Sequence, residues 1–177
     1  MIFRQTEIEG AWVVEPERYE DERGFFARTW DASEFAERGL SGDLAQASIS
    51  HNRRRGTLRG MHYQAAPHEE AKLVRCTSGA MFDVAVDLRP SSSTFRRWVG
   101  IELSAENRLA LYVPQGCAHG FLTLADEVEI SYLISVPHEP GAARGVRFDD
   151  PAFGILWPEE IIVINDRDRT YPDFGGS

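Results

Sequence analysis

The stretch from Gly56 to Val74, GTLRGMHYQAAPHEEAKLV, sets Arg59, His62, Gln64 and Lys72 within an apolar alternation. Histidine takes up and releases protons near neutral pH. Arginine and lysine supply fixed positive charge to a phosphate or a developing oxyanion. Arg59 and His62 lie three apart, so a regular strand would turn them to opposite faces. A bulge or turn at Gly60 would bring both to one side. A base, two cations and an amide in one strand and the start of the next mark this stretch as the candidate site. A second informative stretch is Pro114–Phe121, PQGCAHGF, where a turn feeds His119 into a strand. A lone histidine is more often a satisfied polar residue than a catalyst. Two histidines at the ends of separate strands, together with Arg59 and Lys72, favour chemistry, with His62 as the base. Asp83 and Asp87 fall on one face of DVAVD; bonding to a neighbour such as Arg89 or to backbone explains them better than catalysis.

The elements that must carry these residues are mostly strands. From Thr57 onward, segments of five to eight residues (LRGMHYQ, AKLVRCTSG, AMFDVAVDLRP, RRWVGIEL, LALYVPQG, HGFLTLAD, VEISYLIS) alternate with Gly, Pro, Ser and Asp turns. That rhythm predicts an all-β antiparallel sandwich or barrel. Upstream, Trp12–Val14, Phe25–Trp30 and Gln46–Asn52 read as strands, and Ser33–Gly39 as a short helix capped by Ser33. A last strand is expected over Ile161–Ile164. No βαβ alternation, GxGxxG or internal repeat is present. The 177 residues suit one domain spanning 1–177.

Composition narrows the partners. Hydrophobic residues make up 42 % and the net charge is −9, which excludes the basic footprint of a nucleic-acid-binding protein. Arg53-Arg54-Arg55 reads as a solvated loop. No apolar leader or membrane-length run occurs. Two cysteines without a CxxC, Cys76 and Cys117, fit buried inert thiols and a reduced cytoplasm.

The PQGCAHGF stretch resembles the second motif of the cupin jelly rolls. In metal-binding cupins the first motif supplies His-x-His and a glutamate; here it reads His62-Tyr63-Gln64, followed by Glu69 and Glu70. An amide is a poor transition-metal ligand, and Lys72 close by opposes a dication, so no metal is expected.

Nearly the whole chain resembles the dTDP-4-dehydrorhamnose 3,5-epimerase family of dTDP-4-keto-6-deoxy-sugar epimerases. The resemblance rests on DERGFF (21–26), Gln46, GTLRGMHYQ (56–64), KLVRC (72–76), DVAVDLRPSSSTF (83–95), LSAEN (103–107), VPQGCAHGF (113–121), Tyr132, DDP (149–151), WP (157–158) and Asp168. It implies a jelly-roll cupin barrel with short helices, no cofactor, a nucleotide-sugar substrate and a homodimer. It also implies roles: His62 as base, Asp168 orienting it, Lys72 meeting the enolate oxygen and Tyr132 as acid, although alone Tyr132 reads as a cross-strand aromatic. Arg59 matches a pyrophosphate contact, and Gln46 and His119 match further substrate contacts. Arg23 and Phe26 match a segment that reaches into the partner subunit's site, with core packing an alternative for Phe26. The chain departs from the family pattern at Arg28, Ser48, Met61 and Ala143-Arg144. Those departures touch nucleotide and sugar contacts and leave open an epimerase acting at C3 or C5 alone. A non-catalytic sugar-nucleotide-binding cupin is the alternative of another class.

Overall fold

The computed structural model describes residues 1–175. The last two residues of the expected domain lie outside the described residues. In chain order the elements are β1 (Ile2–Gln5), β2 (Trp12–Glu15), β3 (Arg18–Asp21), β4 (Gly24–Ala27), α1 (Ala32–Ala36), β5 (Gln46–Asn52), β6 (Leu58–Gln64) and β7 (Lys72–Ser78). They continue with β8 (Ala80–Asp87), β9 (Trp98–Ser104), β10 (Ala110–Val113), β11 (Cys117–Thr123), β12 (Val128–Ile134), β13 (Ala143–Gly145) and α2 (Asp166–Arg169). A six-stranded sheet, β1-β2-β10-β7-β12-β5, faces a five-stranded sheet, β13-β6-β11-β8-β9. Every pairing between these strands is antiparallel, as the strand rhythm of the sequence requires.

Three apolar layers hold the sandwich. Between the sheets, Val74, Cys76 and Ile130 pack against Met81, Ala85, Leu103 and Phe121. The outer face of the five-stranded sheet, carrying Met61, Val84, Val86 and Ala118, is covered by Val146, Phe153 and Ile155 of the C-terminal segment. Strand β11 is consequently buried along its whole length and β8 nearly so. That is why both read as near-continuous apolar runs rather than as alternations. On the outer face of the six-stranded sheet, α1 buries Phe35 beside Val14, Leu73 and Tyr112. Each such side chain contributes roughly 1.5–3 kcal/mol by leaving water.

Several expectations are corrected. The helix is shorter than Ser33–Gly39 and is capped by Asp31, whose carboxylate accepts the Ser33 and Glu34 N–H groups. The carboxylate two residues before the expected start is the better cap because it also carries charge at the positive helix end. The aromatic strand ends at Ala27, where Arg28 turns to pair with Asp31 at 3.1 Å. Ile161–Ile164 forms only a single parallel bridge, Val163 to Thr57, because β13 takes the rest of that edge of β6. Phe26 does not pack in the core; it is 71 % exposed on the β3–β4 hairpin.

Both cysteines are buried and free, and burial pushes the Cys117 thiol up to about 12. No helix among the described residues is long and apolar enough to cross a membrane. Within the five-stranded sheet, β6 and β11 come close together at Gly60 and Gly120. A Cβ on Gly60 would lie 2.5 Å from the Gly120 Cα, and Gly60 has φ +139°. Asp87 organises the loop after β8: its carboxylate accepts from the Arg89 guanidinium, from Ser92 and Thr94 hydroxyls and from the Arg89 N–H.

Two measurements follow from this architecture. Gly60→Ala should lose about 3 kcal/mol or more in urea unfolding, since both the backbone angle and the space exclude a side chain. Burial raises the Asp87 pKa, but its bonds to Arg89, Ser92 and Thr94 outweigh it and hold the carboxyl at about 2. A depressed carboxylate stabilises above its unfolded pKa and loses that contribution as pH falls through the folded one. Asp87→Asn should thus be less stable by about 2 kcal/mol at pH 7, with the gap to the wild type closing between about pH 4 and pH 2.

Candidate active site

Two hollows meet at His62, Lys72 and Ile134 on the open side of the sandwich. The inner one, about 310 Å³, is lined also by Ser48, Ser50, Arg59, His119, Phe121 and Tyr132. The outer one, about 230 Å³, adds Gln46, Tyr63, Glu70, His138, Arg144 and Arg167. Alternation along the strands explains most of this lining: Ser48 and Ser50, Tyr132 and Ile134, His119 and Phe121 each lie two apart. Arg59 and His62 do not, and here the expected bulge is found. Phe121 pairs with Arg59 and His119 with His62, so three steps on β6 oppose two on β11. The extra residue sits at Gly60–Met61. Met61 turns into the apolar layer on the far face, while Arg59 and His62 share the near one.

His62 Nε2 lies 2.8 Å from Asp168 Oδ1, and the Gly60 N–H donates to Asp168 Oδ2 at 3.1 Å. Asp168 is placed by α2, whose cap Asn165 accepts the Asp168 N–H at 2.7 Å. Burial pushes the Asp168 pKa up, but the bonds from His62 and Gly60, with Arg167 nearby, bring it below the ordinary carboxylate range. An ionised carboxylate can only accept, so Nε2 carries a proton, and in the neutral imidazole the lone pair is then on Nδ1. The His62 side chain is 41 % exposed, whereas that of Asp168 is 1 % exposed. An accessible imidazole is thus held from behind by a buried anion, a geometry open to proton transfer.

Lys72 Nζ sits 2.8 Å from Glu70 Oε1 and 3.5 Å from the His62 carbonyl oxygen. His119 Nε2 lies 2.7 Å from Asp83 Oδ1, with the carboxylate fully buried. Burial pushes the Asp83 pKa up, opposed by the charges of His119 and Lys72. Tyr132 packs edge-on against His119 with ring centroids 6.0 Å apart. Burial raises the Tyr132 phenol well above its ordinary pKa, the Asp83 charge adds to this, and Arg59 and a bond to Ser50 oppose it. The phenol therefore holds its proton at neutral pH. Arg59 donates from Nε to Asn52 Oδ1 at 2.8 Å. Gln46 Oε1 accepts the His138 N–H at 2.8 Å.

Of the residues singled out in the sequence, His62, Lys72, Tyr132, Arg59 and His119 line one hollow, Asp168 backs it, and Gln46 lines the adjoining one. Arg23 and Phe26 are not brought there within one chain; they sit on the exposed β3–β4 hairpin, with Arg23 paired to Asp21. Gln64 is spent on structure, donating to the His68 carbonyl and accepting the Glu139 N–H. Asp83 serves His119 rather than an arginine, and it is Asp87 that bonds Arg89. Sequence reasoning missed three contributors: Glu70 as the counter-ion of Lys72, and Arg167 and His138 as lining. The i,i+2 spacing of Glu70 and Lys72 gave a signal for the first; only the return of the C-terminal segment brings in Arg167. Among the described residues no group of three or more His, Cys, Asp or Glu is placed to share a metal ion.

Comparison with known proteins identifies the family. The family model described as dTDP-4-dehydrorhamnose 3,5-epimerase matches residues 5–175. The chain is 42 % identical over 172 residues to the dTDP-4-dehydrorhamnose 3,5-epimerase of Methanothermobacter thermautotrophicus, covering 96 % of this chain and 92 % of the relative. The crystal structure of dTDP-4-dehydrorhamnose 3,5-epimerase from Elizabethkingia anophelis superposes with a TM-score of 0.95 at 38 % identity, covering 98 % of this chain and 96 % of that one. A 3′-monoepimerase from Streptomyces bikiniensis in complex with dTDP-quinovose gives a TM-score of 0.86 at 36 % identity, covering 95 % and 85 %. With the fold, the strand-by-strand motifs and these full-length matches in agreement, the chain belongs to the dTDP-4-dehydrorhamnose 3,5-epimerase family.

Proposed function

We propose that this chain, as one cupin-like domain, inverts C3 and C5 of a dTDP-linked 4-keto-6-deoxyhexose, converting dTDP-4-dehydro-6-deoxyglucose to dTDP-4-dehydrorhamnose without a cofactor. The observation that carries the reading is the His62–Asp168 pair facing Lys72 and Tyr132 across a single hollow. A ketone at C4 acidifies the protons on C3 and C5. The Nδ1 lone pair of His62 takes one of them, and the electron pair of the broken C–H bond moves onto the C4 oxygen as an enolate. Asp168 remains ionised and steadies the imidazolium that forms. The Lys72 ammonium meets the enolate oxygen; charge stabilisation in a site with little water is typically a large part of the rate. The neutral Tyr132 phenol donates a proton to the opposite face of the same carbon, which inverts it. Solvent then restores both groups for the second carbon.

The same reading assigns the diphosphate to the cations Arg59 and Arg167, and further substrate contacts to Gln46 and His119. It places the β3–β4 hairpin of a second copy, with Arg23 and Phe26, over the nucleotide of a homodimer in the cytoplasm. An aromatic ring left 71 % exposed beside Tyr19, itself 69 % exposed, suits a platform completed by another chain. An epimerase of one carbon is the second reading. Ser48 in the inner hollow and Ala143-Arg144 in the outer one depart from the family pattern at sugar and nucleotide positions, which favours keeping it.

Proton NMR of dTDP-4-keto-6-deoxyglucose with the protein in D₂O tests both readings. Deuterium is expected at C3 and C5; deuterium at one carbon alone selects the second reading. His62→Asn should abolish exchange, by about 100-fold or more, while leaving nucleotide affinity nearly intact, and surviving exchange would remove His62 as the base. Phe26→Ala should raise KM several-fold with kcat little changed, and sedimentation should show a dimer at micromolar protein. A monomer that is fully active would sink the shared site.

A further inference from the structure

His62 has a second neighbour besides Asp168. Tyr171, in the segment after α2, presents its ring edge-on to the imidazole with centroids 6.3 Å apart and planes at 73°. The same ring lies against the backbone of Gly145. A Cβ on Gly145 would come 2.2 Å from Tyr171 Cζ and 2.7 Å from its hydroxyl oxygen. Gly145 is the register partner of His62 across β13 and β6, so the ring is wedged beside the very backbone that pairs with the base. Gly145 is not among the residues with positive φ, so space rather than backbone angle requires glycine there. The Arg167 guanidinium stands 5.9 Å from the ring centroid, and Arg167 lines the outer hollow. The Tyr171 hydroxyl is buried and finds no hydrogen-bond partner among the described residues. The phenol contributes its ring here, not its oxygen.

A single hydrogen bond at Nε2 fixes where one corner of the imidazole sits but leaves its plane free to swing about that bond. The terminal torsion of histidine is broad and offers little resistance of its own. A flat group packed at the ring edge removes that freedom. We propose that Tyr171 is a positioning residue for the base: held by Gly145 and carrying Arg167, its ring fixes the imidazole plane, so that the nitrogen left free by Asp168 keeps one direction toward the substrate carbon. This rests on the assignment of His62 as the base. It adds a residue outside the two motifs that carry the site, and it links the base to a cation of the outer hollow through one aromatic ring.

The test uses the full chain and dTDP-4-keto-6-deoxyglucose, and compares Tyr171→Ala, Tyr171→Phe, Gly145→Ala and the Gly145→Ala/Tyr171→Ala double variant. Small displacements of a catalytic group cost up to about 100-fold. Tyr171→Ala should lower kcat about tenfold or more with KM within about twofold of the wild type. Tyr171→Phe should keep the wild-type kcat and match or exceed its melting temperature, because it retains the ring and removes an unbonded buried hydroxyl. Gly145→Ala drives the ring away and should lower kcat like Tyr171→Ala. The double variant should be no worse than either single one, since both act through the same ring. A lowered melting temperature with unchanged kcat in Tyr171→Ala would make Tyr171 merely structural and overturn the proposal. So would a Tyr171→Phe variant as slow as alanine, or additive losses in the double variant. If Tyr171→Ala does not fold, Gly145→Ala and Tyr171→Phe decide the question. His62→Asn run alongside separates the two ideas: its activity would overturn the base, whereas its inactivity beside a fully active Tyr171→Ala would overturn only the positioning role.

Discussion

The site depends on one close approach, between Gly60 of β6 and Gly120 of β11. With no side chain on either residue the strands come near enough for β6 to carry one residue more than its partner. That extra residue turns Arg59 and His62 to the same face and sends Met61 into the apolar layer behind. It also leaves the Gly60 N–H without a ladder partner and aims it at Asp168, which the short α2 brings up beneath β6. One irregularity thus positions His62, aligns Arg59 with it and supplies a bond to the Asp168 carboxylate that holds it. Bulges next to active sites commonly re-aim side chains in this way.

The electrostatics follow from where the carboxylates are buried. Asp168 and Asp83 lie behind the inner hollow and pair with His62 and His119, while Glu70 lines the outer one and pairs with Lys72. The groups presented to the cavity are an uncommitted imidazole nitrogen, an ammonium, a guanidinium and a phenol that retains its proton. Such a surface suits charge that develops on an oxygen during the reaction and disappears afterward. Because each cation already has a partner or a strand-anchored position, little reorganisation is needed when that charge appears. The net charge of −9 resides elsewhere on the molecule and does not describe the cleft.

The comparison with a monoepimerase bears on how much these features decide. Solved structures of this one fold carry the names of a 3,5-epimerase and of a 3′-monoepimerase. In this chain Ser48 lines the inner hollow, and Ala143 and Arg144 line the outer one. Those positions make no bond to the His62–Asp168 pair, so substitutions there can reshape the hollows while the pair stays in place.

The sequence by itself determined the antiparallel sandwich, because alternation and turn residues act locally and leave strands of this length few other ways to bury their apolar faces. It also determined the bulge, since a glycine between Arg59 and His62 made the three-residue spacing workable. The family motifs pointed to Lys72 and Tyr132, which line the same hollow as His62. The resemblance already implied Asp168 beside His62; what only the tertiary structure decided are other pairings between residues distant in sequence, Asp83 with His119, and Tyr171 and Gly145 beside His62. Asp83 and Asp87 look alike in DVAVD, yet one bonds a histidine across the sheet and the other an arginine two residues on. Nothing local distinguishes them. Ile161–Ile164 has strand composition, but the edge it would join is occupied by β13, so it forms one bridge. Phe26 has core composition and stays in solvent, because the β3–β4 hairpin stands away from both sheets. In each case the missing information is the identity of the neighbour, which is set by the packing of whole sheets and not by the residues adjacent in the chain.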